Sequence, residues 1–339
     1  MKPRLRAKID GTYFNVESMH LAKSGWRDPS SLVVSITNSK LRYSDAFASY
    51  DPVKIEVEYK DELIKGMKEW RQVFSGYVDN LEEYVRDKSL LIFECRCRLR
   101  TLQDDDITRK WEKAYLHEVI TDLVADRFKL KLDVPNFYIG DHLMEMKSRL
   151  GEINDLAELF GCITYLNGDE FYFGEYRKGK RWVYQLLNNY PREKELRNAN
   201  LIGYNIRRML GGFAYHRVVV KKVNEEKTVY RGEATSKIRK IAGKGKTLDI
   251  DHKYLTSDDM ADRLAQFILW KHERLYISAS LTTYGIPFIE PEWIVDVANI
   301  GEKNSGLYWV TSATTTYQND RFETAIEANT RDPKERFVK

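Results

Sequence analysis

Cysteine, net charge and long apolar runs are all scarce in this chain. Three cysteines occur in 339 residues, a usage that fits a reducing compartment and excludes a disulfide-built scaffold. Two of them, Cys95 and Cys97, share one face of a predicted strand, at the upper limit of disulfide reach and with parallel side chains, so no bridge is expected. Neither these two with Cys162 nor the six histidines (His20, His117, His142, His216, His252, His272) form the paired clusters of a zinc site. Buried apolar thiols and no structural metal are therefore expected. The 55 basic and 51 acidic residues leave a net charge of +4, which argues against nucleic acid as the main partner, because backbone binding needs an excess of Lys and Arg on one face. No apolar run approaches the ~18 residues of a membrane helix, so no membrane partner is expected. No apolar core follows Met1-Lys2-Pro3-Arg4-Leu5-Arg6 either, and the expectation is a chain folded in a cytoplasm.

Reactive motifs are equally sparse. There is no Gly-x-Ser-x-Gly, no His-Glu-x-x-His and no catalytic-cysteine signature. Gly245-Lys246-Thr247 has the ending of a phosphate loop, but position 240 is Lys where that motif needs Gly. The alternating Leu248-Asp249-Ile250-Asp251-His252 that follows reads as a strand, where a phosphate loop must open a helix. Asp249, Asp251 and His252 have ligand chemistry, yet no second cluster stands at ligand spacing, and a solvated polar strand face is expected. Glu56 and Glu58 share the outer face of a strand, as exposed carboxylates commonly do. No catalytic, cofactor-binding or metal residue is assigned, no cofactor is expected, and the chain is not expected to be an enzyme.

What is present is a mixed globular composition, 42% hydrophobic and 31% charged, with a length that implies two or three domains. Residues 1–103 read as all-β. Arg4 to Ile9 and Thr12 to Val16 flank the hairpin signal Asp10-Gly11. Leu32 to Thr37, Val53 to Tyr59, Gln72 to Val78 and Leu90 to Leu99 follow as strands, the last with Leu91, Phe93, Cys95, Cys97 and Leu99 on one face. The character changes at Asp104-Asp105-Asp106. An amphipathic helix is predicted over Trp111 to Phe128 and a shorter one over Glu152 to Phe160, with Gly161 at its C′ position. Cys162 to Leu166 and Phe171 to Phe173 then form a hairpin about Asn167-Gly168.

Strands return at Leu201 to Ile206 and Tyr215 to Val220. Glu225-Glu226 reads as a polar turn, and 236–245 as an exposed basic span. Thr256 to Ala328 carries one capped helix and four strands. Ser257 is its N-cap, Asp258 and Asp259 favour its dipole, and Met260, Leu264, Phe267, Ile268 and Lys271 share one face. Tyr276 to Thr282, Trp293 to Val297, Leu307 to Val310 and Phe322 to Ile326 are the strands, with Gly285-Ile286-Pro287 and Gln318-Asn319-Asp320 as turns. The order is β, then α+β, then β with one helix. Its two β-rich ends are either distant versions of one module or unrelated. The 21 Tyr, 14 Phe and 7 Trp fit β cores together with large interfaces.

Order and local pattern resemble the baseplate hub proteins of contractile phage tails, the late control protein D group, and the hub half of the type VI secretion spike protein. Phe74-x-Gly76-x-Val78 with Arg98-Leu99-x-x-Leu102 looks like that family's first barrel. Ile153-x-x-Leu156-Ala157-x-x-Phe160-Gly161 running into Asn167-Gly168 looks like its middle module. Gly285-x-Pro287-Phe288-Ile289 and Gly306-x-Tyr308-x-Val310 look like its closing strands. Two departures stand out: Pro291-Glu292 replaces a Pro-Gly turn, and Ala313-Thr314-Thr315-Thr316 lacks the family's His. The resemblance implies an α+β, mainly β fold with two tube-like β-barrel modules, 1–103 and 201–339, the second flanked by helix 257–274. A small α+β module, 104–200, lies between them. It also implies a homotrimeric, pseudo-sixfold baseplate ring joining a hexameric tail tube protein to a trimeric spike protein beside other baseplate proteins. That ring would belong to a virion or tail-like particle assembled in the producing cell's cytoplasm. The alternatives are a cell-wall-degrading tail-tip enzyme and the hub-like N-terminal part of a long-tailed phage's tip protein.

Overall fold

The computed structural model describes residues 4–25, 29–43, 53–60, 69–86, 89–103, 106–125, 127–175, 183–187, 200–208, 215–224, 227–236, 246–319 and 321–330. Glu225-Glu226, Gly245 and nearly all of the basic span 236–245 lie outside them.

The first six strands close on themselves. They are β1 (Arg4–Ile9), β2 (Thr12–Lys23), β3 (Ser31–Thr37), β4 (Lys54–Lys60), β5 (Arg71–Val85) and β6 (Ser89–Cys97). They neighbour one another in the order β1-β4-β5-β6-β3-β2, and β1 pairs β2 to complete the barrel. Alternation fills the interior: Ile55, Val57 and Tyr59 of β4 and Leu91, Phe93 and Cys95 of β6 are buried with Leu32, Val34 and Ile36 of β3. On the outside, Arg6 faces Glu58 at 2.5 Å and Lys8 faces Glu56 at 3.8 Å, directly opposite in the β1–β4 register. Leu99 and Leu102 leave the barrel in a 3-10 turn and insert into the next core.

The central body holds β7 (Asp106–Tyr115), α1 (Leu116–Val124), β8 (Lys129–Asp133), β9 (Tyr138–Ser148), α2 (Arg149–Leu159), β10 (Cys162–Asn167) and β11 (Glu170–Glu175). The first predicted helix is shorter than expected, because Trp111 to Tyr115 extend in β7 against β9. Its apolar face, Leu116, Val119, Ile120, Leu123 and Val124, is buried as its spacing requires. Ser148 caps α2 by accepting the Gly151 N–H at 3.1 Å, and Gly161 ends it at φ +66°. In the β10–β11 hairpin Asn167 pairs with Glu170, so the two turn residues are Gly168 and Asp169, one place later than expected.

The remaining elements are β12 (Val183–Leu187), β13 (Leu201–Arg208), β14 (Tyr215–Asn224), β15 (Lys227–Thr235), β16 (Lys246–Asp251), α3 (Asp258–Arg274), β17 (Ile277–Tyr284), β18 (Ile294–Ala298), β19 (Gly306–Gln318) and β20 (Arg321–Thr330). They do not stay together. The expected units 104–200 and 201–339 exchange segments in space. The sheet β15-β14-β16 and α3 share one core with α1, α2 and β11, through Val218, Val220, Leu264 and Phe267. The 257–274 helix thus belongs with the central body, where Met260, Leu264 and Phe267 find apolar partners. Meanwhile β12 joins β18, with Leu186 buried in the core of the closing strands.

That closing sheet runs β12-β18-β19-β20-β17-β13. Taken in chain order, the strands of each set neighbour one another as first, fourth, fifth, sixth, third and second. The first strand differs in sense: β1 is antiparallel to β4, whereas β12 is parallel to β18. The two sets join edge to edge, β2 against β19, in one continuous sheet.

Candidate assembly surface

The residues weighed for chemistry are dispersed. Lys246 and Thr247 open β16, a strand beside β14, so no helix N-terminus follows them. Asp249 and Asp251 are exposed on β16, and Asp249 lies 3.9 Å from Lys221 Nζ. His252 departs from the expected solvated face. It is 5% exposed, and its Nε2 lies 2.8 Å from the Leu159 carbonyl. Burial holds its pKa below the ordinary histidine value, in spite of hydrogen bonds that favour the charged form. Among the described residues no group of three His, Cys, Asp or Glu side chains could hold a metal ion.

The cysteines stand apart from one another in role. Cys95 is buried in the first barrel, Cys97 is half-buried at its end, and Cys162 is buried in the central body. Burial, with a smaller push from Glu94, raises the Cys95 thiol to about 12, and burial raises Cys97 and Cys162 as well. A raised thiol pKa favours the protonated, less nucleophilic form.

Three polar arrangements carry no simple periodic signal. His142 on β9 lies 2.7 Å from the Glu152 carboxylate of α2, and Lys147 donates to its other oxygen at 3.1 Å. Burial pushes the Glu152 carboxyl up, but these hydrogen bonds and charges outweigh it, so its pKa lies below the ordinary value. His142 and Glu152 line an open cleft of about 1170 Å³ between the central body and the closing sheet, beside Ile250, His252 and Trp270. At the same junction the Arg274 guanidinium sits 4.4 Å from the Trp270 ring centroid and 4.7 Å from that of Trp309. Burial lowers its pKa to about 10, against an opposing pull from Glu292. Lys23, 4% exposed, closes the β2–β19 seam by donating to the Pro287 carbonyl at 2.8 Å and pairing with Glu290. Next to it Glu292 adopts φ +69°. Glycine is favoured at such an angle, which gives the Pro-Gly turn of the resembled family a backbone reason.

The surface that stands out is made of strand edges. β5 pairs β4 only from Arg71 to Tyr77, and its continuation Asn80–Val85 is exposed residue by residue. Leu81, Tyr84 and Val85 are 38%, 41% and 62% exposed. β13 is hydrogen-bonded to β17 on one side, and Ile202 and Tyr204 are 46% and 42% exposed. Open edges of this kind are templates for pairing with another chain.

No family model matches the chain, and no curated protein matches it. Solved structures do. The tail protein from Neisseria meningitidis MC58 superposes with a TM-score of 0.71 at 11% identity, over 98% of this chain and 97% of that one. The 43 kDa tail protein of prophage MuSo2 from Shewanella oneidensis gives 0.68 at 14% identity, over 97% and 98%. The E. coli c3393 protein, described as a type VI secretion component similar in structure to bacteriophage T4 tail proteins, gives 0.63 at 11% identity, over 96% and 77%. The chain therefore has the α+β, mainly β fold of phage tail proteins, as its resemblance to tail hubs implied.

Proposed function

We propose that the chain is a structural baseplate hub of a phage tail or tail-like contractile injection particle. Three copies form a ring of six barrels, matching a hexameric tail tube protein on one face and a trimeric spike protein on the other. Other baseplate proteins surround it, in a particle assembled in the producing cell's cytoplasm. The observation that supports this reading is the shared strand order of the two six-stranded sets in one chain. Two similar modules per chain turn threefold symmetry into an approximate sixfold one, which is what a hexameric tube requires of a trimeric partner. The role is architectural, with no reaction step. The organisation that goes with it is three units, two barrels and the central body, in which the body is built from two separate stretches of chain.

The test is the mass in solution by light scattering, at high concentration and with the spike protein added. A trimer is expected, with contacts well above the roughly 1,000 Å² of a biological interface. A strict monomer under both conditions refutes the ring. A second reading, an enzyme acting on cell-wall polymer, has the His142–Glu152 pair in the cleft in its favour. Release of fragments from purified cell wall, abolished by His142→Ala in a folded protein, would establish it.

A further inference from the structure

The two six-stranded sets repeat each other down to their irregularities. The second strand of each bulges against the third, between Val16 and Ser18 in β2 and between Leu201 and Gly203 in β13. The fifth bulges against the sixth, between Val78 and Asn80 in β5 and between Val310 and Ser312 in β19. The fourth strand meets the fifth one residue before that bulge in both, as Lys54 opposite Tyr77 and Ile294 opposite Trp309. Bulges pin register. Aligned on them, Met19, Ala22 and Lys23 correspond to Tyr204, Arg207 and Arg208, and Ala313, Thr314 and Tyr317 correspond to Leu81, Glu82 and Val85.

Inside the chain these positions form the seam between the two sets. Met19 pairs with Tyr317, Ala22 with Thr314 and Lys23 with Ala313. Their equivalents lie on two open edges. Among the described residues no strand pairs with the outer edge of β13, nor with the β4 side of Asn80–Val85. Burial follows the same division. Met19 and Ala313 are 2% and 3% exposed, whereas their equivalents Tyr204 and Leu81 are 42% and 38% exposed.

We infer that Tyr204–Arg208 of one copy pairs antiparallel with Leu81–Val85 of the next, in the register of the internal seam. Tyr204 then faces Val85, and the exposed Arg207 faces the exposed Glu82. A second copy of this chain is the occupant, because each open edge has as its counterpart the equivalent of the other's partner in the seam. Charge agrees, with two arginines at the end of β13 and two glutamates in the facing half of β5. The inference rests on the proposed ring and states which edges close it: a head-to-tail contact that repeats the seam gives six barrel junctions in three chains.

Directly opposite residues on antiparallel strands have Cβ atoms about 4.5–5.5 Å apart, close enough for a disulfide to form with a small adjustment. Mixing full-length Arg207→Cys and Glu82→Cys variants under oxidation should give a covalent dimer on a non-reducing gel, and the double variant a covalent trimer. Arg207→Cys mixed with Tyr84→Cys, two residues out of register, should not link. As a check independent of cysteine, Glu82→Arg should raise the concentration at half-assembly by about tenfold or more, and Arg207→Glu in the same chain should restore it. Light scattering on the same samples separates the outcomes. A trimeric mass without the Arg207–Glu82 link and without charge-swap rescue overturns this pairing and leaves the ring. A monomeric mass overturns both.

Discussion

Strand β15 and helix α3 approach more closely than any side chain would permit, and Gly232 is the residue that allows it. A Cβ added there would stand 2.1 Å from the Asp262 amide nitrogen, 2.2 Å from the Ala261 carbonyl carbon and 2.6 Å from the Asp262 Cα. All three are backbone atoms, so no rotamer change relieves the clash. Ordinary carbon contacts lie near 3.5 Å, so Gly232→Ala must drive the helix back by roughly 1 Å. That shift pulls on two bonds that flank the glycine: Arg231 N–H to Asp258 at 2.8 Å and Glu233 N–H to Asp262 at 2.9 Å. Overpacking costs about 1–3 kcal/mol, and each hydrogen bond to a charged acceptor contributes about 1.5–3 kcal/mol. One displacement strains all of them together, so the expected loss is about 3–5 kcal/mol. Urea denaturation, with hydrogen exchange in α3 as the local readout, measures it. Gly203→Ala is the control, since nothing lies within 4 Å of its added Cβ. A Gly232→Ala variant within about 0.5 kcal/mol of that control would show that α3 is not docked on β15.

Acidification should destabilise the protein in two stages. His252 is kept neutral by burial, so the unfolded chain takes up its proton first, and stability falls as pH drops below the ordinary value of 6.5. Glu152 has a depressed pKa, so its contribution holds above the ordinary 4.5 and is lost as pH falls through its lower folded value; Glu152→Gln should flatten the Tm-against-pH curve in that lower range only. Cys95→Ala should cost about 1 kcal/mol with no change in bound metal by elemental analysis, and the native Cys95 thiol should resist maleimide at pH 7. Arg274→Ala should lower stability by about 2–4 kcal/mol, because it empties the space between two indoles; Arg274→Met should recover most of that in the same urea titration, since the buried charge itself carries a desolvation cost.

Periodicity made much of this fold legible, and its failures have identifiable causes. Strands with one buried face, such as β4 with Ile55, Val57 and Tyr59, announce themselves by alternation. Strand β7 does not, because among the described residues it pairs only with β9 and buries little beyond Ala114. The α3 helix was readable to its N-cap, where Ser257 accepts the Met260 N–H at 3.2 Å. Its destination was not, because an apolar stripe says that a face is covered and not by what. The exchange of segments between the expected units has the same origin: nothing in the sequence around Leu186 says which sheet receives it. His252 was misplaced because its burial depends on the Leu159 carbonyl, distant in sequence. The open edges of β5 and β13 were invisible, since an edge is defined by the partner that is missing.

Which edges a β protein covers and which it leaves open is a design statement about assembly. The outer edge of β15 is capped, with Asp258 and Asp262 of α3 accepting its Arg231 and Glu233 amides. The first barrel removes two edges by pairing β1 with β2. The protruding ends of β2 and β19 cover each other, and Lys23 seals the seam from below through Pro287 and Glu290. Against that thrift, the outer half of β5 displays Leu81, Tyr84 and Val85, and β13 displays Ile202 and Tyr204. Exposed apolar side chains on unpaired strand edges invite indiscriminate aggregation unless a specific partner takes them. The charges beside them supply the selection: Glu82 and Glu83 repel a second β5 edge, and Arg207 and Arg208 repel a second β13 edge. Only the mixed pairing is favoured, and a mixed pairing is head to tail. Symmetric dimers through either edge are thereby disfavoured, and the proposed ring would use both of these edges once in each copy.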